Sequence, residues 1–173
     1  MQAPAPSGLR RAWPVVTVLA GVIALQVLLA VASIDVMSSV RAYVTGESLY
    51  SKGQKDAHLH LLDYAASHRP EDYALFQQAL AVPLGDRRAR EALQQSPPDL
   101  AEARRGFLEG GNDPDDIDGL IRLFVWFQHL PFMAEPIATW TRGDELIEQM
   151  RQLAERAHLR LQAGQPGAAE VRE

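Results

Sequence analysis

Three polar side chains interrupt otherwise apolar seams in this sequence. Glu47 and Gln54 fall on a three-four stripe that runs Val36, Val40, Tyr43, Tyr50, Ala57, Leu61 and Tyr64. Asp144 falls on a second stripe, through Met133, Ile137, Trp140, Ile147, Met150, Ala154, Ala157 and Leu161. A polar residue on such a seam can fix the register of paired helices. It can also line a small-molecule pocket between helices, here with Tyr43, Tyr50 and Trp140 as aromatic walls. Tyr43, Glu47, Tyr50, Gln54, Trp140 and Asp144 are therefore the candidate ligand contacts, with register as the competing reading.

The other chemistry-bearing residues do not assemble into a signature. Asp113, Asp115, Asp116 and Asp118 are dense enough to suggest calcium, but counting back from Gly119 in an EF-hand-like pattern gives Asp118, Asp116 and then Pro114, which offers no side-chain ligand. A helix start over Asn112–Asp116 explains the cluster better, with a capping side chain, proline at the first helical position and carboxylates in the first turn. His58 and His60 lie about 200° apart on a helix, and His68, His129 and His158 have no zinc-type spacing. There is no glycine-serine-glycine nucleophile elbow, no glycine-rich phosphate loop and no cysteine. Arg142-Gly-Asp-Glu-Leu146 contains an adhesion tripeptide and an echo of the Gly-Gly-Asp-Glu-Phe cyclase signature, yet it sits inside a helical period and receives no function. No catalytic residue, metal ligand or cofactor is assigned, and the chain is not expected to be an enzyme.

The elements that must position the six candidates begin with an uncharged run, Val15 to Ile34, interrupted only mildly at Thr17, Gln26 and Ser33. As a helix it rises about 30 Å, the thickness of a hydrocarbon core, and Trp13 stands where an interfacial aromatic belongs. Arg10 and Arg11 precede it and Asp35 follows it, which orients the N-terminus to the cytoplasm and exports the remainder. Ala30-Val-Ala32 also fits a signal-peptide cleavage pattern. Either way the domain is exported. The chain divides into a cytoplasmic tail (1–12), a transmembrane helix (13–34), a periplasmic helical domain (35–163) and a flexible C-terminal tail (164–173).

The first stripe leads straight out of the membrane segment, so one helix is expected from about Trp13 to Ser67, ended by His68-Arg-Pro70. Shorter helices follow: Glu71–Val82, stopped before Pro83; Gly85–Gln95; Leu100–Glu109, capped by Asp99 and stopped by Gly110-Gly111; and one opened by Asn112–Asp116. The second stripe gives a last helix over about Phe132–Ala163. No strand alternation occurs. The fold class is all-α: a transmembrane helix continuing into a bundle of two long antiparallel helices with short helices packed on them. Antiparallel helices with level ends would set Gln54 opposite position 145, beside Asp144. Pairing of the long helices also suggests a homodimer.

Charge narrows the partners. All 22 acidic residues follow the apolar run, against 15 of the 17 basic ones, so the exported part is about −7. That balance speaks against nucleic acid, which is bound by neutralising phosphates, and leaves the lipid bilayer and an unidentified small-molecule or protein signal.

Three stretches carry a resemblance: Arg41-Ala-Tyr-Val-Thr-Gly-Glu-Ser-Leu-Tyr-Ser-Lys-Gly-Gln-Lys-Asp-Ala57, Ala81-Val-Pro-Leu-Gly-Asp-Arg-Arg-Ala-Arg90 and Gly110-Gly-Asn-Asp-Pro-Asp-Asp-Ile-Asp-Gly119. Together they resemble the N-terminal input region of membrane-bound bacterial signal transducers, the part that precedes cyclic-di-GMP cyclase and phosphodiesterase (GGDEF and EAL) modules or histidine-kinase modules. The resemblance covers about residues 10–163. It implies a periplasmic helical sensor after a first transmembrane helix, in an inner-membrane protein of cyclic-di-GMP or two-component signalling. Such chains continue into a further helix, a second transmembrane segment and an output module. This sequence stops at Glu173, so it reads as a fragment of such a chain and no output chemistry is assigned. A single-pass anchored assembly protein, whose exported helices bind an envelope partner, is the alternative.

Overall fold

The computed structural model describes residues 7–164, with side chains from Ala12 onward. Helix α1 (Ser7–Ser67) is followed by α2 (Pro70–Leu93), α3 (Leu100–Glu109), α4 (Ile117–Phe127), a single 3-10 turn (Pro131–Met133) and α5 (Ala134–Gln162), with no strand among the described residues. The all-α reading holds. The chain divides into two units, one up to Ser38 and one from Ser39. The expected tail 164–173 lies outside the described residues apart from Gly164, as do residues 1–6 of the expected N-terminal tail, and residues 7–12 form the start of α1.

The first unit is one stretch of α1. Its apolar window has a mean hydropathy of 2.6 and is long enough to cross a membrane as an anchor or to serve as a signal sequence. Every described side chain from Ala12 to Ser38 is exposed. Thr17 and Ser33 each donate their hydroxyl to the carbonyl four residues back, at 2.9 and 2.7 Å, so these two polar groups are satisfied within the helix.

In the second unit α1 ends where expected. His68 adopts a left-handed φ of 56° and its N–H bonds the Tyr64 carbonyl, closing the helix. Pro70 then opens α2, and Asp72 gathers the Ser67 hydroxyl and the Arg69 guanidinium at the turn. These bonds, from Ser67 first and then Arg69, hold the Asp72 carboxyl below its ordinary range.

Two expectations are corrected here. Pro83 does not stop a helix: α2 runs through it, from Pro70 to Leu93. Proline removes the donor that the Ala79 carbonyl would have used. That carbonyl faces Gly53, where a Cβ would stand 3.1 Å from it and 2.9 Å from Val82 Cβ, so the glycine lets α1 close over the irregularity. Pro114 does not open α4 either. Asn112–Asp116 form a turn, Asp113 accepts from the Asp115 N–H, and the helix starts at Ile117.

A third correction concerns direction. Tyr50 bonds Asp144 and Tyr64 meets His158, and both pairs are 94 residues apart. A constant separation belongs to parallel helices, so α1 and α5 run in the same direction and not antiparallel. α2 runs opposite to both: Tyr73 stacks on His158 with ring centroids 3.9 Å apart, while Arg90, further along α2, reaches back to Asp144. The parallel pair is thus bridged by the intervening antiparallel helix. It also moves Gln54 away from Asp144, whose partner on α1 is Tyr50.

Two apolar clusters build the core. One gathers Ala89, Leu93, Phe107, Ile117, Leu120 and Phe124, with Tyr43 and Trp140 against it. The other gathers Ala57, Leu61, Tyr64, Phe76, Leu80 and Ile147. Helices α2 and α3 meet backbone to backbone: a Cβ on Gly85 would stand 2.7 Å from the Gly106 carbonyl, and one on Gly106 2.6 Å from Ala89 N. Asp99 caps α3, its carboxylate accepting from Ala101 and Glu102 N–H at 3.1 and 2.9 Å.

Candidate functional site

A polar layer lies between the two clusters. On α5, Asp144 stands between Trp140 of the first cluster and Ile147 of the second, and it is only 2% exposed. Arg90 of α2 donates to Asp144 Oδ2 through Nε at 3.1 Å and Nη2 at 2.9 Å, and through Nη1 to Gln94. Tyr50 of α1 donates its hydroxyl to Asp144 Oδ1 at 3.2 Å. Three helices are thereby tied at one point. Burial pushes the Asp144 carboxyl up while the charge and hydrogen bonds of Arg90 and the Tyr50 hydroxyl oppose it. Burial and the nearby Asp144 likewise raise the Tyr50 hydroxyl, so Tyr50 remains a donor at neutral pH. The Arg90 guanidinium also lies 6.0 Å from the Trp140 ring centre.

Beside this layer opens a cavity of about 710 Å3. Its walls come from α1 (Tyr43, Glu47, Tyr50), from α5 (Glu135, Thr139, Trp140), from α4 (Leu120, Phe124) and from Asp86 of α2 with Asn112 behind it. The volume is in the range of small-molecule sites. Asp86 is 3% exposed, whereas Glu47 and Glu135 are exposed at the rim. Asn112, buried in the turn after α3, donates its amide to Asp86 Oδ1 at 3.1 Å and to the Phe107 carbonyl at the same distance. Burial pushes the Asp86 carboxyl up to about 8, the Asn112 hydrogen bond opposes the shift, and the Asp144 charge adds to it.

Of the six candidates, Tyr43, Glu47, Tyr50 and Trp140 line this cavity. Asp144 stands behind Tyr50 in the polar layer, and Gln54 is half-buried outside the cavity. Sequence reasoning passed over Asp86, Arg90 and Asn112. A signal for the first two was present. The α2 stripe Phe76, Leu80, Pro83 continues at the same spacing through Asp86 and Arg90 to Leu93, but breaking the helix at Pro83 hid it. Asn112 falls in the helix-start segment Asn112–Asp116, where an amide suits a turn as well as a buried pairing. Among the described residues no group of three or more histidines and carboxylates is placed to hold a metal ion.

The molecule is an all-α protein with one helix apolar and long enough to cross a membrane, and a helical unit enclosing a mixed aromatic and acidic cavity. Compared with family models, curated proteins and solved structures, the chain matches none.

Proposed function

We propose that this chain is the membrane-anchored, periplasmic input region of a bacterial signalling protein, and that it senses a small molecule. The observation that carries this reading is the cavity of about 710 Å3 between α1 and α5. Its α1 wall belongs to the same continuous helix as the apolar run. A ligand touching Tyr43 and Tyr50 on one side and Trp140 on the other favours one packing of α1 against α5 over another, and such differential affinity is what a sensor needs. Arg10 and Arg11, just before the apolar run, support an N-terminus inside and residues from Asp35 in the periplasm. The polar layer gives a second arrangement something to switch between, because Tyr50 and Arg90 share Asp144. In this reading the catalytic response comes from an output module of the kind the resembled family carries.

A second reading is favoured by a different surface. Trp126, which takes no part in the cavity wall, is 62% exposed, and an aromatic ring in water favours a protein partner. An anchored assembly protein would use that face.

Topology tests what both readings share. A reporter active only in the periplasm, fused after Ala163, is expected to be active, and activity of a cytoplasmic reporter instead overturns both. Substituting Thr139→Trp at the cavity rim then separates them. It abolishes signal response if the cavity senses, and it leaves envelope binding intact if the Trp126 face is the working surface.

A further inference from the structure

The wall of the cavity is chemically one-sided. Its three ionisable carboxyl groups, Asp86, Glu47 and Glu135, share the wall with no lysine, arginine or histidine. Arg90, in the polar layer beside the cavity, is engaged by Asp144 and Gln94. Asp86 is the informative member. It is almost wholly buried, Asn112 serves only its Oδ1, and Oδ2 accepts no hydrogen bond among the described residues. With one oxygen unpartnered at the cavity wall, this buried carboxyl is costly to ionise unless a ligand brings a donor or a positive charge. Around it the wall presents aromatic rings, whose faces attract cations.

We propose that the cavity binds an organic cation, a protonated amine whose ammonium group donates to Asp86 Oδ2 and whose apolar body lies among Tyr43, Tyr50, Phe124 and Trp140. This rests on the reading of the cavity as a ligand site and names the ligand's class. An anion would meet three carboxyl groups and no counter-charge. A neutral hydroxyl can bond Oδ2 but brings no charge to hold the buried carboxylate. The ammonium satisfies it, and Glu47 and Glu135 at the rim attract the cation on entry.

The proposal also has a proton signature. The groups facing Asp86 are Tyr50 from α1, Asn112 from the turn after α3 and Asp144 from α5, with Arg90 on its own helix engaged by Asp144. In this setting Asp86 holds a proton at neutral pH, its carboxyl being raised to about 8 by burial. An ammonium beside it favours the carboxylate, so binding releases that proton and affinity rises with pH until Asp86 is already ionised.

The test uses the full 173-residue chain in detergent micelles, titrated calorimetrically with three probes that share an indole body. These are tryptamine (cationic), indole-3-ethanol (neutral) and indole-3-acetate (anionic). Tryptamine is expected to bind with proton release, seen as a binding heat that changes with the buffer's ionisation heat, and the other two at least roughly tenfold more weakly. Asp86→Asn is expected to weaken tryptamine by roughly tenfold or more and to remove the proton release, and Glu47→Gln at the exposed rim to weaken it less. Preference for the neutral or anionic probe overturns the cation assignment while keeping the cavity as a ligand site. So does undiminished tryptamine binding by a folded Asp86→Asn chain. Absence of binding by all three overturns the assignment, whereas the sensor reading itself falls with a wrong-side reporter or an unimpaired Thr139→Trp response.

Discussion

Asp86 and Asp144 are both buried aspartates, yet they stand in opposite electrostatic situations. Asp144 has a guanidinium on one side and a phenol on the other, so removing Arg90 alone would strand a buried charge, an event that costs about 3–5 kcal/mol in proteins. Asp86 has only an amide, and its folded carboxyl is raised from 3.8 to about 8. The folded state therefore binds a proton that the unfolded chain has already lost between these values. Stability from this group is full below the unfolded value, falls as pH rises toward about 8, and then levels off. Asp144, whose carboxyl burial also raises, adds a slope of the same sign that Asp86→Asn leaves in place, and Asp72 and Glu148 do not obscure the window. Both are held below the ordinary carboxyl range, Glu148 at about 2 by Arg151 and Gln152. Thermal melts at pH 5 and pH 8 should show the wild type losing stability over this interval, on the order of a few kcal/mol. Asp86→Asn should make that loss smaller and melt higher than wild type at pH 8. Equal slopes for the two proteins would remove Asp86 as the buried acid. Glu47, by contrast, was visible in the sequence as a break in a seam, and it turns out to be a rim residue and not a buried register group.

At the scale of the element, the helices were mostly legible and their directions were not. The stripes through Tyr43, Tyr50 and Leu61 and through Trp140, Ile147 and Ala154 correctly marked the buried faces of α1 and α5, because apolar burial follows the 3.6-residue period. A stripe has no arrowhead: it packs equally well against a parallel or an antiparallel neighbour. What decided the matter was α2. Once Pro83 is accommodated inside it, this one helix returns the chain along α1, and α3 and α4 then deliver α5 parallel to α1. Spin labels at Thr45 with Thr139, and at Leu59 with Gln152, test this register. Both exposed pairs should give similar short distances, whereas the antiparallel arrangement would displace the partners along the axis by about 20 Å.

For the whole molecule, the apolar run and the helical unit are separable in their stabilisation. No described residue from Ala12 to Ser38 is buried, and both core clusters draw only on residues from Ala42 onward. Purified residues 36–173 are therefore expected to give a helix-dominated far-ultraviolet spectrum and a cooperative melt. Strand signal, or a loss of helix beyond the segment removed, would contradict the independence of that core. The sequence by itself determined the membrane-compatible helix, the all-α class, the Asp99 cap and the buried faces, because hydropathy, periodicity and capping are local properties carried by neighbouring residues. Only the tertiary structure decided that α1 and α5 run parallel, that Tyr50 and not Gln54 meets Asp144, and that Asp86 and Asn112 close a cavity with Glu47 at its rim. Those outcomes depend on which helix returns against which, and that is set by backbone approaches such as Gly53 on Ala79 and Gly85 on Gly106, between residues far apart in the chain.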